Sequence, residues 1–141
     1  LHVGVAAARL PDVAARHLSK VLRQRRHLLA RHALSVVSPL DVVGTSGRLI
    51  FLRDRAIEAG FAAPLATRYD VQFLRGDGSE FARRVRLAAV GAVTGVPLPD
   101  EASGRVVLHV RAVRTNDEAP RACDVHLAVN GASVRVIGVR H

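Results

Sequence analysis

The pair Asn130-Gly131 sits between two runs of alternating apolar residues and leaves the C-terminal end of this chain little choice of fold. Asn-Gly is favoured in the two-residue primed turns whose twist matches that of paired strands. A turn centred there sets Val129 opposite Ala132, Leu127 opposite Val134 and Val125 opposite Val136, all on one face. His126 and Arg135 then oppose each other on the other face. Such an alternation commits one face to a core, because a one-residue slip would turn every side chain over.

The same period-two pattern extends upstream. Tyr69, Val71 and Phe73 alternate up to the turn Gly76-Asp77-Gly78, and Phe81–Leu87 returns. Val90–Leu98 is broken by glycine and ends in Val-Pro-Leu-Pro, which suits an edge strand with a bulge. Arg105–Arg114 reads as a strand. Before Pro64 the pattern differs. Asp41–Val43 and Arg48–Leu52 form a short strand pair around Gly44–Gly47, and Asp54–Ala59, closed by Gly60, is a short helix.

The N-terminal third follows a helical period. Pro11-Asp12 opens it, with an acid at the positive end of the dipole, and Ser38-Pro39 ends it. Ala14, Leu18, Val21, Leu22, Leu28, Leu29, Ala33 and Val36 make one broad apolar face. The expectation is a single α+β domain over 1–141, with a helical part at about 10–62 and an antiparallel meander at about 67–140. A long basic amphipathic helix and a short helix would pack on a sheet of about five strands. In element order alone this resembles helix-first α+β folds of the NTF2-like or cystatin-like kind. That layout implies a pocket between helix and sheet.

Charge is unevenly spread. The formal net charge is +9, and between Asp12 and Asp41 there is no acidic residue. On a helix, Arg16, Lys20, Arg23, His27 and Arg31 line up as a stripe. Like charges at that spacing cost a free helix about 0.2–0.5 kcal/mol per pair. A stripe of this kind calls for an acidic counterpart, on a partner or in acids such as Asp100, Glu101, Asp117 and Glu118. It could also lie along phosphates of nucleic acid. The helix lacks Trp and Phe, which argues against a membrane-surface role.

Two further clusters carry chemistry. Arg25 and His32 interrupt the apolar helix face, and a buried Arg requires an anion beside it; they are candidates to hold a small acidic ligand. Asp124 and His126 share the outward face of a strand, with Arg135 across from them. If Arg105–Arg114 is the neighbouring strand, His109 and Arg111 join that face. An Asp with two His resembles a metal or acid–base set, but a flat face bearing Arg111 and Arg135 repels a cation and favours an anion or a protein.

Cys123, the only cysteine, falls on the opposite face from His126. It therefore forms no dyad with it and is expected to pack inward, opposite Gly138. No phosphate loop, nucleophile elbow, His-Glu-x-x-His or calcium loop occurs, so no catalytic residue, metal or cofactor is assigned. No apolar run reaches the ~20 residues that span a bilayer, and Val3–Ala8 is too short and lacks the basic lead of a signal peptide. Methionine is absent even at position 1, so Leu1 reads as a cut or processed start of a larger protein. Localisation stays open.

The functional expectation is a non-catalytic binding or interaction module. It would use the helix stripe or the polar sheet face, with another protein, or other domains of the same polypeptide, as partner. A pocket protein or enzyme for a small acidic ligand, and nucleic-acid binding through the basic helix, are the alternatives. A homodimer through the Val90–Leu98 edge or the polar sheet face is a further option.

Overall fold

A computed structural model describes residues 11–115 and 121–141, apart from the Ser35 side chain; Leu1, Val3–Ala8, Asp117 and Glu118 lie outside them. The chain divides into two compact units, Leu1–Ala33 and Leu34–His141. The elements are α1 (Asp12–Val36), β1 (Leu40–Ser46), β2 (Leu49–Asp54), α2 (Arg55–Glu58), a 3-10 turn (Pro64–Ala66), β3 (Thr67–Arg75), β4 (Val85–Ala88), β5 (Val93–Pro97), β6 (Gly104–Arg114), β7 (Ala122–Asn130) and β8 (Ser133–Arg140). The fold is α+β, with one long helix, one short one and antiparallel sheets.

Helix α1 opens where Pro11-Asp12 predicts, and the Pro11 carbonyl accepts from the Ala15 amide at 2.8 Å. Much of its apolar sequence is open to solvent. Leu28 and Leu29 are 64% and 71% exposed, and Val21 and Leu22 are half-buried.

Among the described residues the second unit carries eight strands in two antiparallel sheets, where the sequence suggests one sheet of about five. The smaller sheet has the order β1-β2-β5 and the larger β4-β3-β6-β7-β8. The extra sheet arises because β5 does not continue the meander. It leaves β4 and pairs with β2, Ile50 opposite Val96, before β6 returns beside β3. That pairing makes β5 an edge strand, as its glycines and prolines predict.

The core lies between the sheets. Ile50 and Leu52 of β2, Tyr69, Val71 and Phe73 of β3, and Val96 of β5 are buried there. Alternate residues of β6 and β7, from Val106 to Ala112 and from Cys123 to Val129, complete it. Each large aliphatic or aromatic side chain so buried contributes about 1.5–3 kcal/mol. The sheets meet again where the Thr45 hydroxyl donates to the Val134 carbonyl at 3.3 Å.

The last hairpin keeps the expected faces but not the expected register. Asn130 pairs with Ser133, so Gly131 and Ala132 are the turn residues. Gly131 has φ +58° and takes the first central position, where primed turns want glycine. Leu127 therefore opposes Val136, and Val129 opposes Val134. The shift is by an even number of residues, which is why the apolar face survives it. Beyond Leu127 a bulge leaves Ile137 as the extra residue, 53% exposed, and brings Gly138 opposite His126.

Two expectations fail for that reason: Arg135 opposes Ala128 and not His126, and Cys123 does not face Gly138. Cys123 is nonetheless buried, paired in register with Val110 of β6.

Candidate functional site

The outer face of the five-stranded sheet is the most developed polar surface of the second unit. Alternation puts Arg86 of β4, Arg68, Asp70 and Gln72 of β3, and Arg105, His109 and Arg111 of β6 on it. Asp124, His126, Ala128 and Asn130 of β7, and Arg135 and Arg140 of β8, follow across the sheet. Six arginines on the strands thus face two acids, and Arg84 and Glu80, from the segment between β3 and β4, add a seventh arginine and a third acid. Two rows cross it: Arg86–Asp70–Arg111, and Gln72–His109–Asp124–Arg140.

Within these rows some charges are answered. Arg86 Nε donates to Asp70 Oδ1 at 2.8 Å. His109 Nδ1 donates to Asp124 Oδ1 at 2.6 Å, both side chains about a third exposed. Glu80, at the bridge opposite Leu74, accepts from Arg84 Nε at 3.0 Å and from Gln72 Nε2 at 2.9 Å. The hydrogen bond from Arg84, then that from Gln72, hold the Glu80 carboxyl below the usual range; the Arg84 guanidinium rises in return. Together Asp70, Gln72, Arg84, Arg86, His109 and Arg111 line an open cleft of about 400 Å³.

Other charges are not answered. Among the described residues, Arg68, Arg105, Arg111, Arg135 and Arg140 have no acidic oxygen within 4 Å. Residues of opposite charge do stand in register with Arg111 and Arg140, namely Asp70 and Asp124, but they are engaged elsewhere. An unpaired exposed guanidinium retains all its donors for a ligand.

The sequence named His109, Arg111, His126 and Arg135 for this face, and the sheet brings His109, Arg111 and His126 onto neighbouring strands. Arg135 stands nearer the hairpin end. Sequence reasoning missed Asp70, Gln72, Glu80, Arg84, Arg86, Arg68 and Arg105. Their signal is the polar half of the β3 alternation, Arg68-Asp70-Gln72, legible only once β3 is known to neighbour β6.

On α1, Arg16, Lys20, Arg23, His27 and Arg31 are all exposed, and Arg16, Lys20 and Arg23 line a shallow cleft of about 370 Å³. Arg25 and His32 are exposed as well, so neither carries the cost of a buried charge.

The described residues also hold a buried polar cluster. Asp54 is 1% exposed. Its Oδ1 caps α2, accepting from the Ala56 and Ile57 amides at 3.0 and 3.3 Å. Its Oδ2 accepts from the Tyr69 hydroxyl at 2.9 Å and from Arg114 Nη2 at 2.6 Å. Burial, then the Asp54 charge, push the Tyr69 phenol well above its ordinary value. This cluster ties the end of β2 to β3 and β6, and every Asp54 oxygen is occupied. It is glue.

Cys123 is likewise no nucleophile. Burial raises its thiol to about 11, leaving almost no thiolate near neutral pH. Among the described residues no group of three or more His, Cys, Asp or Glu side chains is arranged to hold a metal ion, and no helix is long and apolar enough to cross a membrane.

Comparison with protein-family models, with curated proteins and with solved structures gives no match for this chain.

Proposed function

We propose that this chain is a non-catalytic binding module whose working surface is the outer face of the five-stranded sheet, and that its partner is an acidic protein segment. The observation that carries the reading is the excess of guanidinium on that face: seven arginines with Arg84 counted, five of them without an acidic partner among the described residues, against three acids, Asp70, Glu80 and Asp124, already engaged. Charge complementarity of this kind steers encounter and selects partners. The face carries no Phe, Tyr or Trp, which disfavours single-stranded nucleic acid, where bases stack on aromatic rings.

The test is binding of a labelled acidic peptide to the full chain at about 50 and 200 mM salt. The expected result is salt-sensitive binding that is abolished by Arg105→Glu, Arg111→Glu and Arg135→Glu together. Binding that survives the triple reversal sinks the reading.

A second reading follows from the α1 cleft. Arg16, Lys20 and Arg23 standing together would suit the phosphates of duplex nucleic acid. It predicts a log–log salt slope of about −0.9 per phosphate neutralised, lost in Arg16→Glu, Lys20→Glu and Arg23→Glu together and indifferent to the sheet variants.

A further inference from the structure

The hairpin end of the sheet face differs from the rest of it. Arg105 of β6, Ala128 of β7 and Arg135 of β8 lie in one cross-strand row, so two arginines flank a single small side chain. Asn130 and Ser133 pair with each other at the next position on the same face. Together these residues line a cleft of about 370 Å³ that contains no acid. The larger cleft nearer β4, by contrast, has Asp70 in its wall.

The donors here are unspent. The side chains of Arg105, Asn130, Ser133 and Arg135 make no hydrogen bond or ion pair among the described residues. Two guanidinium forks, a carboxamide NH₂ and a hydroxyl are a set rich in donors with no carboxylate among them. Ala128 between the forks leaves the row floor low, so one anion can meet both arginines from above.

Charge and valence narrow the ligand. A carboxylate brings one negative charge and two oxygens, which would leave one guanidinium unneutralised. A phosphate monoester brings about −1.5 to −2 charges and three strong acceptor oxygens at neutral pH, matching two arginines that grip oxyanions bidentately. A nucleic-acid phosphodiester has a single charge per phosphate and fits less well. We propose that Arg105 and Arg135, assisted by Asn130 and Ser133, form a phosphomonoester subsite that recognises a phosphorylated side chain on the acidic partner. The subsite rests on the reading of the sheet face as the working surface.

The experiment titrates the full chain with one acidic peptide in three forms: carrying one phosphoserine, serine in its place, or glutamate in its place. The expected result is about tenfold or tighter binding of the phosphorylated form over both others, the gain that new hydrogen bonds to a charged group bring. Arg105→Gln or Arg135→Gln should bring the phosphorylated form down to the level of the serine form, which itself weakens by the smaller factor expected when this face loses one charge; an unchanged ratio between the two forms overturns the subsite. Equal binding of all three forms, all abolished by Arg111→Glu combined with Arg68→Glu, overturns the subsite and leaves the face standing. No binding of any form overturns both. Tighter binding of a duplex DNA that displaces the phosphopeptide also overturns the subsite. Since these arginines are exposed, both Gln variants are expected to melt with the parent chain, and a melting scan checks that any loss is local.

Discussion

Asp54 and Asp124 both stand in the second unit with a side chain from another strand hydrogen-bonded to them, yet they sit in different worlds. Asp54 is 1% exposed and spends both oxygens on two amides, a phenol and a guanidinium. Asp124 is about a third exposed and accepts one bond, from His109. The first carboxylate has nothing left for a ligand and cannot be removed without stranding Arg114, whose Nε is already buried and unpaired. The second keeps most of its acceptor capacity and its neighbours keep their donors. The contrast separates polar groups that hold the two sheets together from those available to a partner, although the residue types are the same.

The sharpest way to break that contrast is Asp54→Ala. It uncaps α2, leaves Arg114 a buried charge without its anion and frees the Tyr69 hydroxyl. Losing one partner of a buried pair costs about 3–5 kcal/mol, so the expected outcome is a large fall in the denaturant midpoint. A fall below about 1 kcal/mol, the range of exposed pairs, would place Asp54 in the same class as Asp124.

Arg48 is expected to follow. It donates to the Pro99 and Ala102 carbonyls at 2.6 and 3.2 Å and to the Gly131 carbonyl, pinning the β5–β6 loop to the last turn. Replacing it with Met keeps much of its bulk and removes those bonds, at an expected cost of about 1.5–3 kcal/mol, the usual worth of a hydrogen bond to a charged group. The variant is read by denaturant unfolding alongside Asp54→Ala. A cation that works this way contributes to the net charge without being available to any partner.

Arg48 and Asp54 also show what the sequence could not display. The β3 and β7 alternations and the faces of the last hairpin were readable because period-two patterning is local; the hairpin's register was not, because Gly131-Ala132 and not Asn130-Gly131 form the turn. Asp54 was legible only as the start of a short helix. Its other oxygen meets Tyr69 and Arg114, far along the chain, and no spacing rule reports such a meeting. The assignment of β5 to β2 was hidden for the same reason, and with it the second sheet. On the outer face the sequence picked out His109, Arg111, His126 and Arg135 from three strands whose adjacency it could guess. Arg68, Asp70 and Gln72 stayed unnoticed, because β3 becomes a neighbour of β6 only across an excursion through β4 and β5. The bulge at Ile137 left only an ambiguous mark: Val136-Ile137 breaks the alternation and Gly138 follows it, which fits a bulge but does not say which residue is extra.

Tyr69 offers a pH test of the buried side. Its phenol is held well above the ordinary value of 10.0 and the Cys123 thiol is raised from 9.0 to about 11, both chiefly by burial. The unfolded chain therefore releases these protons first as pH rises, so it binds fewer protons than the native state over that window. Stability is then expected to be at its full value below about pH 9 and to decline above it. Cys123→Ala should flatten the first part of the decline and Tyr69→Phe the later part. At neutral pH, Tyr69→Phe should itself cost about 0.5–1.5 kcal/mol for the lost hydrogen bond to Asp54. Unfolding midpoints across pH 7 to about 11 check both; an unchanged slope in Tyr69→Phe would mean that Tyr69 already meets water.

The smallest expected effect tests the exposed side most directly. His109→Gln and Asp124→Asn each break the pair between β6 and β7 but bury no new charge, because solvent reaches both side chains. Exposed pairs are worth about 0–1 kcal/mol, so both variants should unfold within that margin of the parent chain. The double variant should add little, since water replaces each lost partner. Binding behaves differently. Asp124→Asn removes one of three acids, Asp70, Glu80 and Asp124, from a face with seven arginines, so an acidic peptide should bind the variant more tightly and with a steeper salt dependence. Weaker binding would mean that Asp124 itself touches the partner and that the face recognises more than negative charge. A stability loss as large as that of Asp54→Ala would mean that the outer face is buried against something in the folded chain, and its arginines would no longer be free to meet a partner.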